Sequence, residues 1–313
     1  MTDPDSPRPD WAAVVVNYEA GPLLEACVAS VLADTSAGPA ELVVVDNGSR
    51  DGSVDALLAA HPDVRVVVAP GNIGYARGAN LGTAATKAPI VAVLNPDIVL
   101  QPGTAGALRK RLVGEPRLAA AGPRIRNVDG TDYPSARIFP TISDAIGHGL
   151  LGLWWPTNRF TRRYRQLDAD PAVPRLVDWV SGAAVWLRRA ALDEVGGWDE
   201  RYFMYLEDTD LCWRLRRAGW DVAYEPSGEI THVQGVSASR RPYRMLVEHH
   251  RSAYRFSKVR FTGARAVLLP FAAVYFTLRA ALAMGEHAFR ARRPKSASAH
   301  SASHSASGPH AHD

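Results

Sequence analysis

Short apolar runs alternate with amphipathic segments along the first hundred residues of the chain. Four runs rich in Val, Ile and Ala end in polar residues, as buried parallel strands do: Trp11–Asn17, 41–45, 64–68 and 89–94. Apolar residues recur at helical spacing between and after these runs, in 22–32, 54–60 and 76–86. This alternation predicts an α/β fold, with a Rossmann-like, mostly parallel sheet flanked by helices.

The second half of the chain has a less regular pattern. Residues 101–176 are rich in Arg and Pro, 177–187 and the short runs 221–224 and 230–233 are typical of strands, and 188–194 and 211–218 are typical of helices. A basic helix is predicted over 242–260. We therefore expect a flexible N-terminus at 1–10, one catalytic domain at 11–240, a C-terminal helical extension at 241–293, and a disordered Ser/Ala/His-rich tail at 294–313.

Charge is distributed unevenly. The 313 residues carry a net charge of +4, yet residues 240–295 hold 13 Lys and Arg with only Glu248 and Glu286, so the rest of the chain is acidic. Such a basic segment indicates an anionic surface or ligand near that end of the chain. It lacks interleaved aromatic residues and a recognition helix, so we expect no nucleic-acid partner. Cys27 and Cys212 are too few for a disulfide framework, and we expect both to be buried thiols.

The apolar run 266–278 is the segment from which membrane association is predicted. No stretch has the roughly 18–20 uninterrupted apolar residues of a transmembrane helix, and Pro270 interrupts this run. Flanked by Arg265 and Arg279, it suits an interfacial helix, although a core or dimer-interface helix has the same pattern. The N-terminus shows no secretory signal pattern.

Polar residues follow the predicted strands at the edge where an open parallel sheet binds ligands: Asn17, Glu19, Asp46, Asn47, Asn72, Asn95 and Asp97. Neither a dinucleotide glycine fingerprint nor a phosphate-loop Gly-Lys-Ser/Thr is present, so a nucleotide would be held by other means. Asp97 suits a divalent cation, but Asn-Pro-Asp is equally good turn chemistry.

A second acidic group comprises Glu207, Asp208 and Asp210. Acidic residues are favoured in the first turn of a helix, with Asp208 or Thr209 as N-cap. A carboxylate among apolar and acidic neighbours also has a raised pKa and suits a general base. His232 follows a predicted strand, and a lone histidine there is more often structural than a ligand.

Several stretches resemble the family-2 glycosyltransferases, which are inverting enzymes with the GT-A fold. The matching stretches are 15–18, 43–53, Asn72-Ile-Gly-Tyr within 72–80, Leu94-Asn-Pro-Asp97, 181–183, Gly196-Gly-Trp-Asp within 196–214, and 231–232. Together they span about residues 11–260. Within the family, the chain is most similar to actinobacterial rhamnosyltransferases that use dTDP-rhamnose.

The resemblance implies a role for each polar cluster. Asp46 would hold the pyrimidine base, with Asn17, Glu19 and Asn47 in the same pocket. The residues expected to contact the nucleotide and its phosphates are Asn72, Gly74, Arg77 and Asn80. Asp97 and His232 would bind Mg²⁺ or Mn²⁺. Asn95 replaces the first Asp of the family's Asp-x-Asp motif and would bond ribose instead.

The same resemblance implies the catalytic and acceptor residues. Asp208 matches the catalytic base, with Glu207 beside it, while Asp210 would orient the acceptor or hold Arg214. Trp179, Ser181 and Gly182 would lie near the donor sugar or the acceptor. On the basic helix, Arg244, Arg251, Arg255, Lys258 and Arg260 would meet the acceptor's diphosphate or an anionic leaflet.

The implied function is transfer of L-rhamnose from dTDP-rhamnose to a polyprenyl-diphosphate-linked acceptor. N-acetylglucosaminyl-diphospho-decaprenol, used in making the arabinogalactan linker of the cell wall, is the expected acceptor. The enzyme would be cytoplasmic, peripheral to the inner face of the plasma membrane, with its oligomeric state open. Two alternatives remain: another donor, such as UDP-galactofuranose or GDP-mannose, or an inactive nucleotide-binding scaffold at the membrane.

Overall fold

The computed structural model describes residues 9–152, 154–233 and 242–292, with side chains as far as Glu286. The predicted flexibility of the first eight residues, the predicted disordered tail and the proposed domain boundary at 240 lie outside the described residues.

A large mixed sheet forms the centre of the domain. Its strands run in the order β3-β2-β1-β4-β11-β6-β12-β5, with β7 beside β6 and β9 beside β12, and β8 pairs with β10 separately. The strands are β1 (Trp11–Asn17), β2 (Glu41–Asp46), β3 (Arg65–Val68), β4 (Ile90–Leu94), β5 (Ile98–Leu100), β6 (Leu118–Asn127), β7 (Asp132–Tyr133), β8 (Ala136–Arg137), β9 (Arg175–Val177), β10 (Trp179–Val180), β11 (Ala184–Arg188) and β12 (Asp221–His232).

Helices cover both faces of this sheet. They are α1 (Pro22–Ala33), α2 (Ser53–Ala60), α3 (Tyr75–Ala84), α4 (Thr104–Gly114), α5 (Ile142–Leu151), α6 (Arg159–Tyr164), α7 (Arg189–Glu194), α8 (Glu207–Arg217), α9 (Pro242–Arg260) and α10 (Leu269–Arg292). Every residue of β1 and β4 is buried, which is why these strands appear in the sequence as continuous apolar runs. The predicted α/β architecture is therefore confirmed.

Strand direction changes where the site forms. Strands β3, β2, β1 and β4 are parallel, whereas β11 is antiparallel to β4 and to β6. The carboxyl ends of β1, β2 and β4 therefore share one edge, and the amino end of β11 lies beside the end of β4, with Ala184 opposite Leu94. This reversal brings residues from distant parts of the chain to one edge.

Two predicted boundaries in the second half are wrong. The runs 221–224 and 230–233 belong to the single strand β12, whose register with β6 shifts between Glu225 and Glu229. The helix predicted at 211–218 begins at Glu207, after left-handed backbone at Tyr205 (φ 70°) and Leu206 (φ 64°). Neither Asp208 nor Thr209 is thus the N-cap; Leu206 is.

The C-terminal helix is longer than its apolar run predicts. Pro270 is its second residue, where the missing N–H costs no hydrogen bond, so the helix continues to Arg292. By length and composition, Gly263–Glu286 is long and apolar enough to cross a membrane, and only 6% of its most apolar window is buried. The expectation that this segment is too short for a bilayer is therefore wrong. The helix packs along α9.

Candidate active site

A cavity of about 880 Å³ opens at the edge of the sheet where β4 and β11 meet. One wall comes from the domain and the other from α5, α9 and α10. The domain side includes Asn95, residues 181–183, His232, Glu207 and Asp208. The cavity thus brings together four clusters that lie up to 137 residues apart in sequence.

The predicted base pocket is a web of buried polar groups after β1 and β2. The Asn17 amide donates to Asp46 Oδ1 (3.2 Å) and to the hydroxyls of Ser49 and Ser53 (both 3.1 Å). Asn17 Oδ1 is buried with no hydrogen-bond partner among the described residues. The Ser49 hydroxyl also accepts the Glu19 N–H (2.9 Å). The structure brings these residues together, and their contact with a base stays a prediction.

The loop between β3 and α3 is fixed by backbone contacts. Asn47 donates to Gly74 O (3.1 Å) and accepts the Ile73 N–H (3.1 Å), while Asn72 accepts the Gly74 N–H (3.1 Å). Gly74 has φ +90°, and a Cβ there would lie 2.7 Å from Phe203 O. Glycine is therefore required for this loop to approach the segment that leads into α8.

Asn80 and Arg77, which were also predicted to contact the nucleotide, instead contact the turn at 196–200 in this structure. The Asn80 amide exchanges two hydrogen bonds of 2.9 Å with the backbone of Trp198 and donates to Glu200 (3.1 Å). Arg77 pairs with Glu200 at 3.5 Å. Because its amide is used in this way, Asn80 holds the 196–200 turn against α3 in this structure.

Asp97 and His232 meet because β12 and β5 are antiparallel, with His232 opposite Ile98. His232 Nε2 lies 3.1 Å from Asp97 Oδ1, and His232 Nδ1 is buried without a partner among the described residues. Asn95 is held through its backbone, whose N–H donates to Ala183 O (2.9 Å). No cluster of three or more His, Cys, Asp or Glu residues occurs in the part of the chain that the structure describes.

Asp208 and Glu207 form the acidic pair at the first turn of α8. Asp208 Oδ2 accepts the Gly182 N–H (2.8 Å), and Oδ1 accepts the Thr209 N–H (2.7 Å). Glu207 is 7% exposed, and its Oε2 has no partner among the described residues. Burial raises the pKa of both carboxyls, and the Asp208 charge raises that of Glu207 further. The two backbone N–H bonds and the Arg137 charge oppose this rise at Asp208, whereas no side chain opposes it at Glu207.

Asp210 does not reach the cavity. It is completely buried, and its carboxylate accepts Arg214 Nε (2.7 Å) and the Tyr202 hydroxyl (3.3 Å). Arg214 in turn donates to the carbonyls of Val195 and Gly197. The prediction that Asp210 binds the acceptor is wrong, and its alternative role, holding Arg214, is the one observed.

The basic face of α9 is mostly committed to other contacts. Arg251 is exposed and lies 3.4 Å from Glu248, so it does not line the cavity as an acceptor contact would. Arg244 and Arg255 stack over Phe203 and Tyr202 of the domain, at 4.9 and 5.7 Å. Among the predicted α9 residues only Arg260 lines the cavity. Packing of the extension against the domain therefore uses much of this charge.

Trp179, Ser181 and Gly182 all line the cavity. The Trp179 indole donates to Ile138 O (3.2 Å), and the Arg137 guanidinium lies 4.8 Å over its ring. The Gly182 carbonyl accepts the Tyr75 hydroxyl (2.7 Å) while its N–H binds Asp208. Trp198 is 2% exposed and packs edge-on against Tyr75.

Sequence reasoning missed the basic side of the cavity. Arg137, Arg165 and Arg279, with His148 and His249, also line the cavity. Arg137 and Arg165 lie in the aperiodic stretch 101–176, where no motif marks them. Arg279 was noted only as a flank of the apolar run. The one sequence signal for Arg137 and Arg165 is the high Arg content of this stretch, which has no helical periodicity.

Residues 7–252 match the sequence model of a protein family described as glycosyltransferase like family 2. The chain is 41% identical over 286 residues to the N-acetylglucosaminyl-diphospho-decaprenol L-rhamnosyltransferase of Mycobacterium tuberculosis, covering 88% of this chain and 91% of that protein. It is 37% identical over 101 residues to rhamnosyltransferase WbbL of Escherichia coli K12, covering 32% of this chain and 35% of that one.

Solved structures show the same fold. A mannosyltransferase of Pyrobaculum calidifontis, in complex with GDP-Man and Mn²⁺, aligns with a TM-score of 0.55 at 18% identity, over 94% of this chain and 79% of that one. GalNAc-T7 with UDP, GalNAc and Mn²⁺ aligns with a TM-score of 0.54 at 15% identity, over 73% and 44%. At these identities the likeness shows the fold alone, and that fold is GT-A.

Proposed function

The chain belongs to the family-2 glycosyltransferases, and from this premise we propose that it transfers L-rhamnose from dTDP-rhamnose, with inversion, to a polyprenyl-diphosphate-linked N-acetylglucosamine. One observation carries the chemistry: the Asp208 carboxylate faces the cavity and is fixed there by two backbone N–H groups. The likeness to the mycobacterial L-rhamnosyltransferase, which extends over 88% of this chain, supports the donor and the acceptor.

Asp208 acts as the general base in this proposal. It takes the proton of the acceptor hydroxyl as that oxygen attacks the anomeric carbon of the donor sugar. The new C–O bond forms on the face opposite the departing dTDP, so the configuration inverts. Raising the pKa of Asp208 by burial strengthens it as a base. The raised pKa of Glu207 favours its neutral form beside Asp208.

Asp97 and His232 are suited to holding a divalent cation. A carboxylate and an imidazole converge at 3.1 Å, and His232 Nδ1 is a buried nitrogen without a partner among the described residues. Two protein ligands suffice when phosphate oxygens and water complete the coordination, as is common for Mg²⁺. When bound, Mg²⁺ or Mn²⁺ would neutralise the charge of the departing diphosphate. Both solved relatives contain Mn²⁺.

Two helices support a position at a membrane surface. Phe271, Val274, Leu278 and Leu282 form an exposed apolar stripe on α10, each more than half exposed. The opposite side of α10 is tied to the domain, since Arg279 Nε donates to Gly149 O of α5 (2.5 Å). Exposed Trp154 and Trp155 follow α5. This two-sided arrangement favours a helix that lies in the interface over one that spans the bilayer.

A nucleotide-sugar binding panel tests the donor. Thermal unfolding is measured with dTDP-rhamnose, UDP-galactofuranose and GDP-mannose, each with Mn²⁺ and with EDTA. The proposal predicts the largest stabilisation by dTDP-rhamnose with Mn²⁺. Greater stabilisation by a donor without thymidine would overturn the assignment, and equal stabilisation in EDTA would remove the role of Asp97 and His232.

A further inference from the structure

Three arginines, Arg137, Arg165 and Arg279, form what we call the basic wall of the cavity, which the acids Asp144 and Glu286 also line. Among the described residues no carboxylate lies within salt-bridge distance of any of the three guanidinium groups. The Arg137 guanidinium is held by Tyr133 Oη (2.8 Å) and Pro134 O (3.0 Å). Arg279 is held by Gly149 O alone. Two of the three cations are therefore held in place by neutral acceptors and not by carboxylates.

Arg165 is the least satisfied member. Its Nε is buried, and no hydrogen bond joins its guanidinium group to any other described residue. Burial and the Arg137 charge lower the pKa of Arg165. An unpaired buried donor costs free energy that folding alone does not recover. Arg165 differs from other arginines with an unpaired Nε in that it lines the cavity, where an anion would supply both a hydrogen-bond acceptor and a compensating charge.

The three charges converge on one place. Burial, followed by the charges of Arg165, Arg137 and Arg279, lowers the pKa of His148 to about 4. Burial and the charges of His250, Arg279, His148 and Arg137 lower that of His249 to about 4. Both His249 and His250 line the cavity, and the Nδ1 of His250 is hydrogen-bonded to Leu246 O at 2.7 Å. Neutral imidazoles beside fixed guanidinium groups supply additional hydrogen-bond donors.

We propose that Arg137, Arg165 and Arg279 bind the diphosphate of the lipid-linked acceptor. The inference rests on the proposed function and adds where the acceptor's charged group lies. Arg137 links the two ends of the site, because its charge also acts on Asp208. A diphosphate on the basic wall therefore puts the attached sugar between the three arginines and the base. Planar guanidinium groups match phosphate oxygens in geometry as well as in charge.

The same wall provides a path for the lipid. Tyr275 and Phe276 line the cavity on the α10 turn before Arg279, and their rings contact each other at 5.1 Å. The exposed stripe that begins at Phe271 lies on the adjacent face of the same helix, since Phe271 is one turn before Tyr275. A polyprenyl chain leaving the diphosphate therefore passes along apolar side chains to the face proposed to contact the membrane.

The test compares Arg165→Gln with Arg162→Gln in the full-length chain. Both residues lie at or next to α6, but Arg162 is about half exposed and pairs with Asp168. Arg165 has no partner to lose, so R165Q is expected to fold, and Arg279→Gln serves as an independent variant. Binding of detergent-solubilised polyprenyl diphosphate and the KM values of lipid-linked acceptor and dTDP-rhamnose are measured for each.

We expect R165Q to raise the acceptor KM and the Kd of polyprenyl diphosphate about ten- to hundredfold, the value of one charge-assisted hydrogen bond. The donor KM and the KM of a phosphate-free alkyl N-acetylglucosaminide should not change, and R162Q should match wild type. Unchanged diphosphate affinity would overturn the inference. So would a rise in the donor KM alone, because the arginines would then hold the nucleotide. If R165Q loses diphosphate binding but wild type transfers no rhamnose, the proposed function is refuted. The assignment of the anion site is then still supported.

Discussion

Replacing Asp208 with Asn tests the assignment of the general base with little change in shape. The side chain keeps its size but loses its charge and its capacity to accept a proton. In the structure, one carboxylate oxygen accepts the Gly182 N–H at 2.8 Å and the other accepts the Thr209 N–H at 2.7 Å. An amide can accept only one of these bonds, and its NH₂ then faces the other N–H.

The structural cost of this change is modest and the catalytic cost is large. Losing one buried hydrogen bond costs about 1–3 kcal/mol. Loss of a general base lowers a rate by about 10²–10⁴, or roughly 3–5 kcal/mol of activation free energy. The fold should therefore survive a substitution that removes nearly all turnover.

Initial rates of rhamnosyl transfer, dTDP affinity and chemical denaturation are measured for D208N and for Asp193→Asn, a control at an exposed acid on α7. We expect D208N to bind dTDP as wild type does. Wild-type kcat should fall as pH decreases, beginning above the ordinary aspartate value of 3.8 because burial raises the pKa of Asp208. D208N activity within about tenfold of wild type, or with the same acidic limb, would refute the role of Asp208.

Three further predictions concern the donor side and the acidic pair. Asp97→Asn should weaken Mn²⁺ binding about ten- to hundredfold through loss of one charged ligand, measured by Mn²⁺ titration; unchanged affinity would remove Asp97 from the metal site. Gly74→Ala should cost about 1–3 kcal/mol or more in denaturation because φ is +90° and the Cβ meets Phe203 O, whereas Gly114→Ala, with nothing within 4 Å, should not destabilise the fold. Glu207 is protonated more readily in the folded chain, so its contribution to stability is full below pH 4.5 and is lost as pH rises toward its raised pKa. Denaturation of Glu207→Gln across this range should show a smaller decline than wild type, and equal slopes would mean that Glu207 is already ionised.

The parallel half of the sheet was predictable from sequence because both of its faces are buried. Burial on both faces turns a strand into an apolar run, and β1 occupies the predicted Trp11–Asn17. The polar residues that end β1, β2 and β4 lie at one edge for the same topological reason. Asp97 and Asp208 could be identified because they stand in contiguous motifs.

Features that depend on tertiary packing could not be predicted in this way. The start of α8 is set by left-handed backbone at Tyr205 and Leu206, which the propensities of these residues do not indicate. Asp208 and Asp210 are both aspartates in one acidic run, so the sequence does not separate their roles. The pairing of Asp210 with Arg214 becomes visible only in the structure. Arg165 reaches the cavity because α6 packs against α5, and no local sequence pattern predicts that contact.

The central claim is rhamnosyl transfer to a diphosphate lipid, and product analysis tests it most directly. Purified protein with Mn²⁺ is given polyprenyl-diphosphate-linked N-acetylglucosamine together with equal amounts of dTDP-rhamnose, UDP-galactofuranose and GDP-mannose. The lipid product is then examined by mass spectrometry and by NMR at the new anomeric centre. The account predicts one added deoxyhexose, with the configuration opposite to that of the donor. Addition of a hexose instead, or retention of the donor configuration, would contradict it.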